Sequence, residues 1–345
     1  MDDGFIWGGR GAIDDKGCVL AMLEAIEGLL ASGFKPERTI YLAFGHDEEF
    51  GGPRGTRATA AMLKEKGVSA AYSLDEGLVI TDGIVPGMTG PLALVATAEK
   101  GYVTIELSVK TEDGHSSQPP AETTIGILAR TITRLEASSM PAELKGPMKR
   151  MFEYTSPQMD FPMKVVLANL WLFGPVVKGQ LQKGAATNAG LRTTIAPTII
   201  HAGFKENMLP ATGRAVINFR LMPGDTSEAV LAHVREAIDD PRVKLEFAGE
   251  PRPPSPVSDN RNEFFGAIAK SVRQVWPEAA VAPSLQISGT DSKHYTEISQ
   301  DLYRFTPFWS RENDLTMFHG VNEKVAVKRY LEAIQFCDLV IRNTQ

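Results

Sequence analysis

The sequence predicts an α/β fold in which a mostly parallel sheet with helices on both faces is interrupted by an α+β insert. Two observations carry this. Strand-like apolar runs alternate with amphipathic helical runs through the first hundred residues and again from about residue 260, the alternation that yields parallel sheets. Between them the order is β-α-β-β-α-β, that of a ferredoxin-like domain. Residues 249–259, GEPRPPSPVSD, then read as a linker back to the first domain. The expected boundaries are 1–97 with 251–345 for the discontinuous sheet domain and 98–250 for the insert. The insert also carries a Met- and Phe-rich apolar stretch around 140–183.

Each element follows from its residues. FIWGG (5–9) reads as a short strand end. Residues 17–33 form an amphipathic helix stopped by Gly33. TIYLAF (39–44) is rich in β-branched and aromatic residues and reads as a strand. Residues 55–67 form a second helix, again ended by glycine, and AAYSL (70–74) a third strand. In the insert, 101–110 is a strand, 121–137 a helix, 193–204 and 213–224 strands, 226–240 a helix and 243–249 a strand. A helix over 324–343 ends the chain.

With 345 residues, 43% of them hydrophobic, the chain can build a large core. A net charge of −6 excludes the basic footprint of a nucleic-acid binder. Cys18 and Cys337 are the only cysteines, so a disulfide framework and a cysteine zinc site are both excluded. The longest apolar run, 165–177, is too short to cross a bilayer. No signal peptide is visible, but MDDGFIWGGRGA reads as mid-domain sequence and the native start is expected upstream. A cytoplasmic, periplasmic or secreted location all stay open.

The acidic residues point to chemistry. Asp14 and Asp15 follow the first strand, Asp47, Glu48 and Glu49 the second, and Asp75 and Glu76 the third. Ligands bind beyond the carboxyl ends of such strands, so the three clusters converge on one crevice. Like charges persist together only when a cation or a proton compensates them. Taken singly, Asp14–Asp15 is an ordinary helix cap and HDEE a solvated loop. GGRGAIDDKG lacks the spacing of a phosphate loop, and Ser116 and Ser117 in GHSSQPP lack a nucleophile elbow. Of six histidines, His319 sits in a loop before the last helix and His115 in a turn, while His233 reads as structural.

Together the motifs resemble the zinc-dependent aminoacylase and carboxypeptidase family of co-catalytic metallopeptidases, nearest its carboxypeptidase S and N-acyl-amino-acid hydrolase branch. GRGAIDDKG, AFGHDEEFGG, SLDEG, GHSSQPP, NMLPATGRAVINFRLMPGD, GTDSKHY and FHGVNEKV occur in family order over essentially the whole chain. The resemblance implies a catalytic sheet domain of zinc-exopeptidase type with a lid and dimerisation domain, two Zn2+ ions replaceable by Co2+ or Mn2+, and hydrolysis of an amide beside a free carboxylate. It makes Asp14 the bridging carboxylate, with a cis peptide to Asp15. Glu49 and His319 complete one zinc site, and Asp75 belongs to the other. The residues alone leave open which of Glu48 and Glu49 is base and which is ligand; the resemblance makes Glu48 the general base. His115 would stabilise the oxyanion, within its own subunit or across to a neighbour. Asn207 and Arg220 would grip the substrate carboxylate, and Gly289, Thr290 and Asp291 would line the cleft floor. The substrate is a short peptide or an N-acyl amino acid, and a homodimer through the lid is admitted.

One departure stands out. The family's His-x-Asp motif upstream of GRGA has no counterpart here. The expectation is therefore one complete three-residue zinc site, one damaged site, weak or no activity, and an exposed apolar sheet edge. The rival readings are a turnover-free protein that holds a metal or a carboxylate, and a dimerisation module. Glu48, which has no binding duty, speaks against the former.

Overall fold

The structure, a computed structural model, describes residues 4–345 apart from the side chains of Asn313 and Leu315, so the first three residues of the opening stretch lie outside it. The chain packs as two compact units. One comprises Met1–Glu99, Lys145–Val177 and Pro256–Gln345, the other Lys100–Leu144 and Lys178–Ser255.

The first unit is built on a four-stranded sheet in the order Ala280–Gln286, Leu92–Glu99, Leu302–Ser310, Ser73–Thr81. The outer pairs are parallel, and the two pairs meet through antiparallel contacts such as Arg304 opposite Ala96. Leu92–Glu99 is buried along nearly its whole length, as a strand covered on both faces must be. Ile80, Val95, Tyr303 and Phe305 form one core with Ile268 and Val272 of helix Glu263–Val275 and Phe336 of helix Val327–Asn343.

Four elements differ from the sequence expectation. Phe5–Gly9 does not join the main sheet; it pairs antiparallel with Glu323–Ala326 in a separate ribbon. Residues 39–44 pair with no strand among the described residues, and Ile40, Tyr41, Leu42 and Phe44 are exposed. Their β propensity is real, but a strand exists only through its hydrogen bonds to a neighbour. The third strand begins at Ser73, so Asp75 and Glu76 lie inside it and not after it. Finally, the apolar segment that the sequence groups with the insert packs with the first unit over Lys145–Val177. There Met148, Met151 and Phe152 of helix Gly146–Thr155 are buried, and Met151 Sδ lies 3.6 Å from Ser284 Oγ in strand Ala280–Gln286.

The second unit is an antiparallel sheet in the order Thr194–Ala202, Thr212–Leu221, Gly101–Lys110, Val243–Phe247. Its helices are Thr124–Ala137 and Ser227–Ile238. Burial along Gly101–Lys110 alternates residue by residue. Val103, Ile105, Leu107 and Val109 meet Ile127, Leu128, Val230 and Val234, so the period-2 strand and the helical stripes share one core. Its strand and helix order is the ferredoxin-like one.

Candidate active site

The acids of the first unit arrive on separate elements. Asp14 sits in the tight turn Ala12–Lys16, and its peptide bond to Asp15 is cis. Glu48 and Glu49 occupy the short helical turn Glu48–Phe50. Asp47, in the same acidic run, does something else: its two carboxylate oxygens accept the N–H groups of Arg54 and Gly55 at 2.8 and 3.0 Å. These bonds hold its carboxyl below the ordinary range and fold the loop back toward helix Thr56–Glu65. Gly52 has φ +68°, and a Cβ there would fall 2.5 Å from Asp291 Oδ1, so the turn admits no side chain.

His319 closes the group. Its Nε2 lies 2.8 Å from Asp14 Oδ2 and 3.5 Å from Glu49 Oε1. One donor atom from each of Asp14, Glu49 and His319 lies within 4.8 Å of the others. The contact with Asp14 pushes the imidazole pKa up. His319 holds a left-handed φ of +61°, and Glu323, a buried acid that the sequence reading gave no role, ties this turn to the Asp14 loop.

Asp75 is tied to this group electrostatically, since the carboxyls of Asp15 and Glu76 both feel it together with Asp14. It lies opposite Arg304, and its Oδ1 accepts the Glu76 N–H at 2.9 Å. Its Oδ2 is buried with no hydrogen-bond partner among the described residues. The ladder register slips just after Asp75, and Gly77 lets the strand approach Arg304, whose Cβ would be 2.6 Å from a Cβ at that glycine.

The electrostatics of the group are strained in one direction. Burial first, and neighbouring carboxylates with it, raise Asp15 to about 7, Glu48 to about 7, Asp75 to about 6 and Glu76 to about 10. Lys293 pulls Glu48 back in part. Glu76 thus belongs to the cluster, as its place in the third acidic group implies. Two carboxylates and an imidazole within one ion's reach, with a buried orphan carboxylate oxygen alongside, fit a divalent metal with oxygen and nitrogen ligands.

The GTDSKHY segment lies behind Glu48. Asp291 Oδ2 accepts from Thr56 Oγ1, and His294 Nε2 lies 2.9 Å from the Gly51 carbonyl oxygen. Gly289 is partly open, with Lys293 Nζ 3.9 Å from where its Cβ would stand. Thr290, expected on the cleft floor, is 1% exposed, and its hydroxyl donates to Glu99 Oε2 at 2.7 Å. It is a buried strut, because Glu99 and the fully buried Arg304 require polar partners there.

In the second unit, His115 and Asn207 meet in a short ribbon. His115 pairs with Met208, and the Ser116 N–H donates to the Asn207 carbonyl at 3.1 Å. His115 Nδ1 is 2.9 Å from Ser117 Oγ, and Asn207 Oδ1 is buried with no partner among the described residues. Arg220 lies on strand Thr212–Leu221 with its guanidinium 4.8 Å above the Tyr102 ring.

Residues 1–343 match the family described as Peptidase family M20/M25/M40. An N-fatty-acyl-amino acid synthase/hydrolase, PM20D1.1 of Danio rerio, is 41% identical over 345 residues, covering 99% of this chain and 67% of that protein. A probable carboxypeptidase S-like 2 of Dictyostelium discoideum is 38% identical over 347 residues, covering 100% of this chain and 66% of that protein. Among solved structures, the M20 family metallo-carboxypeptidase Sso-CP2 from Sulfolobus solfataricus superposes with TM-score 0.68 at 17% identity, over 99% of this chain and 78% of that one. Human carnosine dipeptidase 1 gives 0.64 at 16%, over 99% and 73%.

Proposed function

The chain belongs to peptidase family M20/M25/M40, whose members are metal-dependent amide hydrolases, and we propose that it cleaves the amide of N-acyl amino acids with apolar acyl chains. The observation that carries this reading is the convergence of Asp14, Glu49 and His319 beside the half-buried Glu48. The names of the fatty-acyl-amino acid relatives support the substrate class. Family membership favours hydrolysis over the turnover-free reading.

Asp14, Glu49 and His319 would hold one zinc ion, and Asp75 together with Asp14 would face a second. When bound, the metal acts as Lewis acid and lowers the pKa of an attacking water. Glu48 takes the proton from that water and delivers it to the leaving amine. A carboxyl pushed to about 7 is matched to that two-way transfer near neutral pH. His115 would donate to the developing oxyanion, the role that the family resemblance implies. Asn207 and Arg220 would fix the free carboxylate, Arg220 through its two-pronged guanidinium. The edge strand Thr194–Ala202 exposes Ile199 and Ile200, which suits a homodimer through the second unit.

The test is turnover of N-palmitoyl-alanine by the zinc-loaded chain, compared with N-acetyl-alanine, Ala-Ala and the carboxamide of the palmitoyl substrate. The proposal expects the first to be fastest and the carboxamide to be refused. Equal rates on the acetyl and palmitoyl compounds would remove the apolar-chain preference. Inertness toward all four would remove the hydrolase assignment for this chain.

A further inference from the structure

Helices Phe161–Ala168 and Leu170–Leu181 are joined only by Asn169 and bend by 113°. No single helix among the described residues is long and apolar enough to cross a membrane, but these two pass that test together. Between residues 161 and 181 the only charged side chains are Lys164 and Lys178. A helix in water normally hides its apolar stripe. Here Phe161 is 79% exposed, Trp171 82%, Val176 70% and Leu172 56%, while Leu167 and Val177 are buried.

We propose that this elbow is an interfacial anchor that seats in the headgroup and upper acyl region of an anionic lipid surface. Three features select that occupant. Residues 161–165 are all exposed, so the first helix offers apolar surface around most of its circumference. A fluid lipid phase satisfies such a surface, whereas a protein partner covers one face. Second, aromatic and aliphatic residues combined with lysine and no acid are the composition of helices that lie in a membrane interface. Third, a bend of 113° keeps the two helices from forming one straight span, so the pair is suited to seat in the interface rather than to traverse the bilayer. Phe161, Trp171, Leu172 and Val176 insert, and Lys164 and Lys178 meet anionic headgroups. This binding needs no catalysis and does not rest on the hydrolase reading. It would bring a hydrolase of acyl amino acids to the phase where such amphiphiles gather.

The experiment is sedimentation of the full chain with vesicles of phosphatidylcholine alone or mixed with phosphatidylglycerol, at low and high salt. The anchor predicts binding to the mixed vesicles that weakens with salt and is poorer on the neutral ones. Trp171→Ser should weaken it by more than about tenfold without altering the thermal midpoint, since the indole is exposed. Lys164→Glu with Lys178→Glu should abolish the preference for anionic vesicles. The proposal is overturned by no co-sedimentation with either vesicle, or by Trp171→Ser binding as the parent does. Self-association that Trp171→Ser dissolves, in a chain that ignores vesicles, would likewise overturn it and assign the elbow to a second copy.

Discussion

The backbone N–H of His319 donates to Glu323 Oε1 at 2.7 Å, and the other oxygen of that carboxylate accepts the N–H groups of Gly11 and Ile13 at 2.8 and 3.1 Å. One buried acid therefore sets the distance between the turn carrying His319 and the turn carrying Asp14. Glu323→Gln keeps the shape but replaces one acceptor oxygen with a donor facing an N–H. Metal affinity should fall by about 10- to 100-fold, the usual cost of losing an orienting partner. Competition with a chromophoric chelator measures it. An unchanged zinc affinity in a folded variant would sink the positioning role.

The metal-free protein should lose stability as pH rises. Asp15, Glu48 and Asp75 have folded pKa values of about 7, about 7 and about 6, above those of an unfolded chain. Their favourable contribution is complete below the unfolded values near 4 and is lost as pH climbs through 6 to 7; Glu76 extends the loss toward about 10. Zinc requires deprotonated ligands, so its stabilisation grows over the same window. Melting of the chelator-treated chain at pH 5 and pH 8, with and without zinc, checks both halves. A larger zinc-induced rise at pH 5 than at pH 8 contradicts the assignment.

Glu48→Gln should lower kcat by about 10²- to 10⁴-fold. Metal content should stay at the parent level, because the donor atoms within one ion's reach belong to Asp14, Glu49 and His319 and not to Glu48. Elemental analysis alongside steady-state kinetics separates the two. Loss of metal in step with activity would make Glu48 a ligand and reopen the choice between it and Glu49.

His294→Ala removes the ring nitrogen 2.9 Å from the Gly51 carbonyl, at the end of the turn that carries Glu48. A small displacement of a base is felt in the chemical step. The expected result is a fall in kcat of about tenfold with KM nearly unchanged, and partial recovery in His294→Gln. Equal changes in kcat and thermal midpoint, with no recovery, would point to a purely structural role.

Arg304 is fully buried, and its Nε lies 3.1 Å from Glu99 Oε2. Arg304→Met leaves Glu99 and Asp75 without that cation in the sheet core. Removal of one partner from a buried pair costs about 3–5 kcal/mol. Denaturant unfolding measures it, and a loss under about 1 kcal/mol would mean that water reaches the site.

The acids at 14–15, 47–49 and 75–76 stand out in the sequence because each group interrupts or follows an apolar run, but the equivalent strand ends that the alternation predicts are not what gathers them, since residues 39–44 form no strand and Asp75 and Glu76 lie inside theirs. The core of the second unit was legible because it is local: the alternation in 101–110 and the helical stripes in 124–137 and 227–238 are periods that any chain of those residues shows. Less was legible where a residue's duty depends on a distant neighbour. Nothing in HDEE distinguishes Asp47, which braces its own loop, from Glu49, which faces His319, and Glu48, whose carboxyl feels Asp14 and Glu49.

By itself the sequence determined the fold class and the set of acids and histidines from which a metal site can be drawn, since these follow from composition, spacing and period. The tertiary structure alone decided that Glu323 joins two loops, that Thr290 is a buried strut, that residues 39–44 lie unpaired and that 145–177 packs against the sheet. Each of these rests on contacts between residues far apart in the chain. Local propensity does not encode such contacts, because burial, partner and field at a position are set by what folds against it.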